Sequence, residues 1–398
     1  MKVFFRSIHL YLGLSSGLVI LTCCFTGAIL VFQKELEQAF HKERYFVTAG
    51  EQKLSPDSLV AFVKKAYPKA KVNSVKLYSD NERTAEINVS IAEKKETKTS
   101  STEKPQTKKA EPQRGEQRTP TLTAFVNPYS GKIIGLYNPR QGFFYSILAL
   151  HRWLLGSNNG PGKYITGIST LFFVFILITG IILWWPKTKN ILLQRLKIKS
   201  STGGKRLNHD LHIVLGFYSA IFLFVFAFTA LAWSFEWFNK GIYKVTSSSI
   251  KPPEPPPSIY QENIKPIKFD SAFAVAKTKF DNTEFYTITL PKDSIGAITI
   301  TSLSKDAPHE TATDAVYIDQ YSGKVLKQYL FSDRNLGARV RATFRPVHVG
   351  SVWGLPSKII ALIVCLLGTT FPITGTIMWL NRTRKKKKAA LKKELAEV

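Results

Sequence analysis

The sequence predicts an α-helical membrane protein: four main transmembrane helices in two duplicated halves, with two α+β domains outside the bilayer. Three observations predict it. Four apolar runs, at 8–32, 163–185, 211–234 and 357–380, are each long enough to cross a hydrocarbon core. The stretches after the first and third runs alternate apolar and polar residues, as half-buried strands do. Landmarks of the first half also return in the second at a near-constant offset. The composition agrees with this division. The chain has 398 residues and is 44% hydrophobic, yet its mean hydropathy is −0.04, because apolar runs alternate with very polar stretches.

The first run follows Lys2 and Arg6 and is too long for a cleaved leader, so it reads as an uncleaved signal anchor. A soluble domain is expected over 33–141. Within it, 55–70 has helical spacing with Ser55 or Asp57 as N-cap. Residues 72–77, 84–91, 121–126 and 132–136 read as strands, with the Asn127-Pro128-Tyr129-Ser130-Gly131 turn before the last. The segment 92–119 is Lys-, Glu-, Thr- and Ser-rich and lacks aromatic residues. It cannot bury a core and is expected to be a disordered insertion.

The segment 142–157 is apolar and aromatic but too short to span, so it predicts a helix lying in the interface. The second span, 163–185, ends on Trp184 and Trp185, an interfacial anchor. A basic loop, 186–208, leads to the third span. Pro252 to Pro257 reads as a stiff linker inside a second soluble domain, 235–336. There, 271–278 is expected to be helical, and 285–290, 297–301, 315–319 and 324–330 to be strands. A second interfacial helix, 337–354, precedes the last span, and 381–398 is a basic tail.

Charge sets the orientation. The net charge is +27. The loop 186–208 carries seven Lys/Arg and no acid, and the tail carries eight Lys/Arg. Basic residues flanking spans mark the cytoplasmic side, so both termini are expected there, with lipid as the surrounding partner. No basic motif interleaved with aromatic residues accompanies the charge, which argues against nucleic acid. The three cysteines, Cys23, Cys24 and Cys365, lie within spans, so no disulfide framework supports the soluble domains.

The repeat is carried by five landmarks. His9-x-x-x-Gly13 matches His212-x-x-x-Gly216, and Thr26 and Thr229 each follow their histidine by 17 residues. The Tyr-Ser-Gly-Lys turns at 129–132 and 321–324 correspond. His151 with Pro161 corresponds to His348 with Pro356, and Thr179-Gly180 to Thr374-Gly375. The offsets are 203, 192, 197 and 195. Such halves pack about a pseudo-twofold axis.

The histidines carry the candidate chemistry. His41 and His309 sit in polar stretches and read as surface residues. Topology pairs the others: His9 with His212 at the cytoplasmic end, and His151 with His348 on the outer interfacial helices. An imidazole with glycines on its helix face, Gly13 and Gly216 here, suits a flat macrocycle. Bis-imidazole sites at both faces would place two haems in line across the bilayer. His209, one helical turn before His212, remains an alternative ligand or a haem neighbour. Arg6, Arg152, Arg206 and Arg345 each lie within three residues of a histidine and could meet haem propionates, or equally lipid headgroups. The motif Cys-x-x-Cys-His does not occur, which excludes covalent attachment.

His9-x-x-x-Gly13, Leu150-His151-Arg152-Trp153, His209-Asp210-Leu211-His212, the two Tyr-Ser-Gly-Lys turns and the Thr-Gly pairs of spans one, two and four together resemble the PepSY-associated transmembrane helix family. The resemblance covers essentially the whole chain. Within that family the chain is similar to inner-membrane siderophore–iron reductases. The resemblance implies periplasmic PepSY domains, two b-type haems between four helices, and outward electron flow to a bound ferric siderophore or other ferric chelate. The donor would be quinol or a separate cytoplasmic flavoprotein reductase. Two departures stand out: the insertion at 92–119, and Val349 after His348 where Arg152 follows His151. Rival readings are a haem-free protein whose PepSY domains bind a peptide, a protease or another partner, and a transporter. The spans hold almost no charged residues to line a polar route, which disfavours the transporter.

Overall fold

A computed structural model describes residues 1–91, 121–199 and 203–396. The insertion expected to be disordered at 92–119 lies outside the described residues.

The chain begins with α1 (Lys2–Leu30), followed by the short helices α2 (Gln33–Phe40) and α3 (Lys42–Tyr45). Then come α4 (Pro56–Ala66), β1 (Ala70–Tyr78), β2 (Ala85–Ile91), β3 (Thr121–Val126) and β4 (Ile133–Tyr137). Helix α5 (Phe143–Trp153) leads into the long α6 (Pro161–Trp184). Past it lie α7 (Lys189–Arg195), α8 (Gly204–Asp210), a π-helical turn (Leu211–Leu215) and α9 (Gly216–Ser234). The second half continues with α10 (Glu236–Val245), α11 (Phe269–Lys279), β5 (Thr283–Thr289), β6 (Ile298–Ser304), β7 (Asp314–Ile318) and β8 (Val325–Tyr329). It closes with α12 (Leu336–His348) and α13 (Leu355–Glu394).

Among the described residues, four helical stretches are long and apolar enough to cross a membrane: Lys2–Leu30, Pro161–Trp184, Gly204–Ser234 and Leu355–Ala390. They form a ring. Helix α1 packs on α6 and α13, and α9 packs on the same two, so α1 and α9 face each other across the bundle. Close approach relies on small residues. A methyl added at Gly368 would come within 2.8 Å of Cys24 Sγ, and one at Gly17 within 3.4 Å of Pro372 Cβ. Leu18, Ile221 and Ile363 point outward and stay exposed, as helices solvated by lipid require. Helix α13 runs far past the expected end of its span, because the basic tail is rich in Lys, Ala and Leu, all strong helix formers.

The two stretches expected to form α+β domains share one sheet. Among the described residues, eight strands form one antiparallel sheet in the order β4-β3-β2-β1-β5-β6-β7-β8. Strands β1 and β5 join the halves, with Val75 opposite Ile288 and Leu77 opposite Tyr286. This pairing removes two exposed edges that separate four-stranded sheets would have to protect. It also merges the cores. Leu59, Val63, Val75, Ile87, Ala272, Ile288, Ile300 and Val316 are fully buried in a single cluster under α4 and α11. These two helices cap each other. Asp57 accepts from the amides of Phe269 and Asp270, at 3.2 and 3.0 Å, and Asp270 accepts from the amide of Asp57 at 2.7 Å.

The two turns expected from the Tyr-Ser-Gly-Lys pattern are present. Asn127 Oδ1 accepts from the amides of Tyr129 and Ser130, and Asp319 Oδ1 from those of Tyr321 and Ser322. Gly131 and Gly323 both stand at φ +71°, where a side chain is strained.

Candidate functional site

Helix α1 carries His9 near its start, and the π-helical turn before α9 carries His212. Since α1 and α9 stand on opposite sides of the bundle, these imidazoles meet across its axis, with ring centres 6.5 Å apart and planes at 82°. The short helices α5 and α12 end on a second pair. His151 and His348 have ring centres 6.3 Å apart and planes at 65°. The structure thus brings together both pairs expected from topology. The first lies at the end of the bundle that holds the termini, the second at the end that holds the sheet. Thr26, beside the second pair, follows His9 by 17 residues on α1, so the pairs stand roughly 25 Å apart along the helix.

Each ring rests on a threonine from a different helix. His9 Nδ1 lies 3.1 Å from both Thr179 Oγ1 and the Ile176 carbonyl. His151 Nδ1 lies 2.9 Å from Thr26 Oγ1 and 3.0 Å from the Cys23 carbonyl. His212 Nδ1 is 2.8 Å from Thr374 Oγ1 and also meets the Phe371 carbonyl. His348 Nδ1 is 3.1 Å from Thr229 Oγ1 and 3.0 Å from the Phe226 carbonyl. Proton counting then fixes the tautomer. Each threonine hydroxyl already donates its one hydrogen to the carbonyl four residues back. It can only accept from the ring, as can the neighbouring carbonyl. So Nδ1 carries the proton in all four imidazoles, and Nε2 keeps its lone pair. Among the described residues, no hydrogen bond reaches any of the four Nε2 atoms.

Two such rings sharing one metal ion would have a definite spacing. An imidazole nitrogen sits about 1.2 Å from its ring centre and a metal–nitrogen bond is about 2.0 Å, so the centres would lie about 6.4 Å apart. Both observed separations are within 0.1 Å of that value. Among the described residues, no group of three or more His, Cys, Asp and Glu could hold an ion. A bare ion would therefore find only two protein ligands. An ion that brings four ligands in a planar ring needs only two more, on opposite sides. The backbone near His9 is open at two glycines: a methyl added at Gly13 would meet no atom within 4 Å, and one at Gly216 only Phe371, at 3.9 Å. The residues present fit a tetrapyrrole.

The model of the PepSY-associated transmembrane region matches residues 6–382. This chain belongs to the PepSY-associated transmembrane family. A search of curated proteins returned no match.

Of the other residues expected at the sites of this PepSY-associated protein, His209 and Arg206 share one carboxylate. His209 does not face His9. Its side chain is 43% exposed and its Nδ1 lies 3.2 Å from Asp210. Arg206 pairs with the same carboxylate at 2.9 Å. Asp210 is only 3% exposed, and a buried charge must be compensated, which commits both neighbours. Arg345 pairs with Glu310 at 3.5 Å, on the sheet side. Arg6 is exposed at the start of α1, and Arg152 lies over the Trp153 ring at 5.0 Å.

The threonines are the functional residues that sequence reasoning missed. The Thr-Gly pairs were visible, but only as landmarks of the repeat. The 17-residue spacing from His9 to Thr26 does not describe one site. It measures the helix between two sites, since Thr26 serves His151.

Proposed function

We propose that the chain is a di-haem b protein of the bacterial inner membrane that carries electrons outward and reduces a periplasmic ferric chelate, most simply a ferric siderophore. The single observation behind this reading is the pair of cross-bundle imidazole couples, spaced for one metal each and held with Nε2 free. His9 with His212, and His151 with His348, would each hold one haem b, which supplies one-electron redox chemistry when bound. The chain's own residues do the rest. Four threonines lock ring orientation and tautomer. Between the pairs, Ile20, Cys24, Leu223 and Val364, with Phe226 and Phe371 packed on them, exclude water. The basic loop and tail at the terminal end support a cytoplasmic location for that end, so the sheet would lie in the periplasm. One electron converts Fe(III) to Fe(II), a softer ion that hard oxygen chelators hold less well, so iron is released. A quinol or a cytoplasmic flavoprotein would supply the electron.

The two four-stranded halves would be a duplicated PepSY domain. The palindromic strand order and the reciprocal Asp57/Asp270 capping support this. A pyridine haemochrome assay on protein purified after haem-replete expression tests the reading. Two haems b per chain are expected, and none would end it. One observation favours the haem-free alternative, in which the sheet domain binds a peptide, protease or other partner. A cleft of about 920 Å³ lies on that domain, lined in part by Lys53, Arg83, Phe273, Lys277 and Tyr286. That alternative expects His151→Ala and His348→Ala to leave function intact.

A further inference from the structure

Among the described residues four buried side-chain polar atoms lack a partner: Arg83 Nε, Thr166 Oγ1 and the indole nitrogens of two tryptophans. Buried polar hydrogens find acceptors, because leaving one unpaired costs its desolvation. Yet Trp184 Nε1 and Trp153 Nε1 are both buried and have no partner. Each is near in sequence to a residue at one histidine pair, Trp153 to His151 and Trp184 to Thr179.

Trp184 is 7% exposed and ends α6, five residues past the Thr179 that holds His9. It stacks flat on Phe217, with centres 3.6 Å apart and planes at 7°. Side chains on a helix lean toward its N-terminus. Trp184 therefore leans back along α6 toward Thr179, and Phe217 leans along α9 toward His212. Both rings thus lean toward the part of the bundle that holds His9 and His212. Trp153 follows His151 by two residues on α5, and the guanidinium of Arg152 lies over its ring. Arg152 is half-buried and forms no hydrogen bond or ion pair with the described residues. At this pair, an unpaired cation and an unpaired N–H donor stand side by side.

The sequence offers four arginines for haem carboxylates, or equally for lipid headgroups. Arg206 pairs with the buried Asp210, and Arg345 lies 3.5 Å from Glu310 on the exposed surface. We infer that the Trp184 and Trp153 indoles are hydrogen-bond donors to tetrapyrrole carboxylates, one at each histidine pair, with Arg152 assisting at the second. The inference rests on the haem reading above and adds the carboxylate anchors to it. A charged acceptor explains why an indole rather than a phenyl ring occupies each position: a hydrogen bond to a carboxylate is stronger than one between neutral groups.

The test uses full-length protein in detergent, loaded with haem b or with its dimethyl ester, which keeps the ring and removes both carboxylates. Wild-type protein should prefer the acid to the ester. Trp184→Phe should weaken haem b at the His9/His212 pair by roughly tenfold or more and leave the ester unchanged. Trp153→Phe should do the same at the other pair. Equal haem b affinity in wild type and variants overturns the inference but leaves the histidine reading standing. Equal losses for acid and ester also overturn it, because the indole would then act by packing alone. Uptake of neither ligand by wild-type protein overturns both readings.

Discussion

The two histidine pairs have nearly the same ring spacing but are built differently. At the terminal end, His9 and His212 belong to the spans themselves, and both rings lie against glycine. A methyl at Gly180 would stand 3.3 Å from His9 Cε1, and one at Gly375 3.2 Å from His212 Cε1. At the sheet end, His151 and His348 sit on short helices that follow the last strand of each half-sheet. His151 has Gly27 behind it, but Ala230 follows Thr229, and His348 is flanked by Trp233 and Phe226 instead. The difference shows what each pair depends on. The first is set by helix packing within the bundle. The second is set by two short helices packed on the bundle, α5 on α1 and α6, and α12 on α9 and α10.

The largest expected effect breaks the comparison outright. His212→Ala should leave one haem per chain, and so should His348→Ala, each removing a different spectral component. His209→Ala should keep two. Haem counts by the haemochrome assay, together with redox titration, distinguish these outcomes. Two haems in His212→Ala would refute the pairing.

A smaller effect sharpens it. Thr374→Val removes the acceptor for His212 Nδ1 and should lower retention of the terminal-end haem by about tenfold, within the range for groups that orient a metal ligand. Thr374→Ser keeps the hydroxyl and should restore it. Thr229→Val should act only on the sheet-end component. A variant that shifted both potentials together would mean the sites are not independently held.

The smallest effect concerns the half-sheets. Their matching turns use Asn127 in one and Asp319 in the other. Burial pushes the Asp319 carboxyl up, but hydrogen bonds from Ser322, Ile259 and Tyr321 outweigh it and hold the group below its ordinary value. With the folded value below the unfolded one of about 3.9, the carboxylate stabilises the fold fully above that pH, and this stabilisation is lost as pH falls through the folded value. Asn127 does not titrate. Thermal unfolding followed from pH 5 to pH 3 should show an acid loss in wild type that Asp319→Asn reduces. Identical profiles would remove Asp319 as the source.

Much of this molecule could be read along the chain. Span positions follow from run length, strands from alternation, and turns from Asn-Pro-Tyr-Ser-Gly and its partner. The pairing of His9 with His212 followed from which side of the membrane each run begins. Helices α2, α7 and α10 were not anticipated, because short amphipathic turns beside spans differ little from polar loop. Nor was the role of Asp210 visible beyond its place beside His209, since only burial makes that carboxylate claim Arg206.

Periodicity and composition by themselves determined the elements, because helix and strand repeats are local properties of the chain. Contacts between distant segments required the tertiary structure. It joined two half-sheets into one, chose His212 over His209, and set Thr26 behind His151 rather than His9. The physical reason is the same in each case. Which edge pairs, which ring faces inward and which hydroxyl it meets are decided by packing between segments more than 100 residues apart, and no local spacing encodes that.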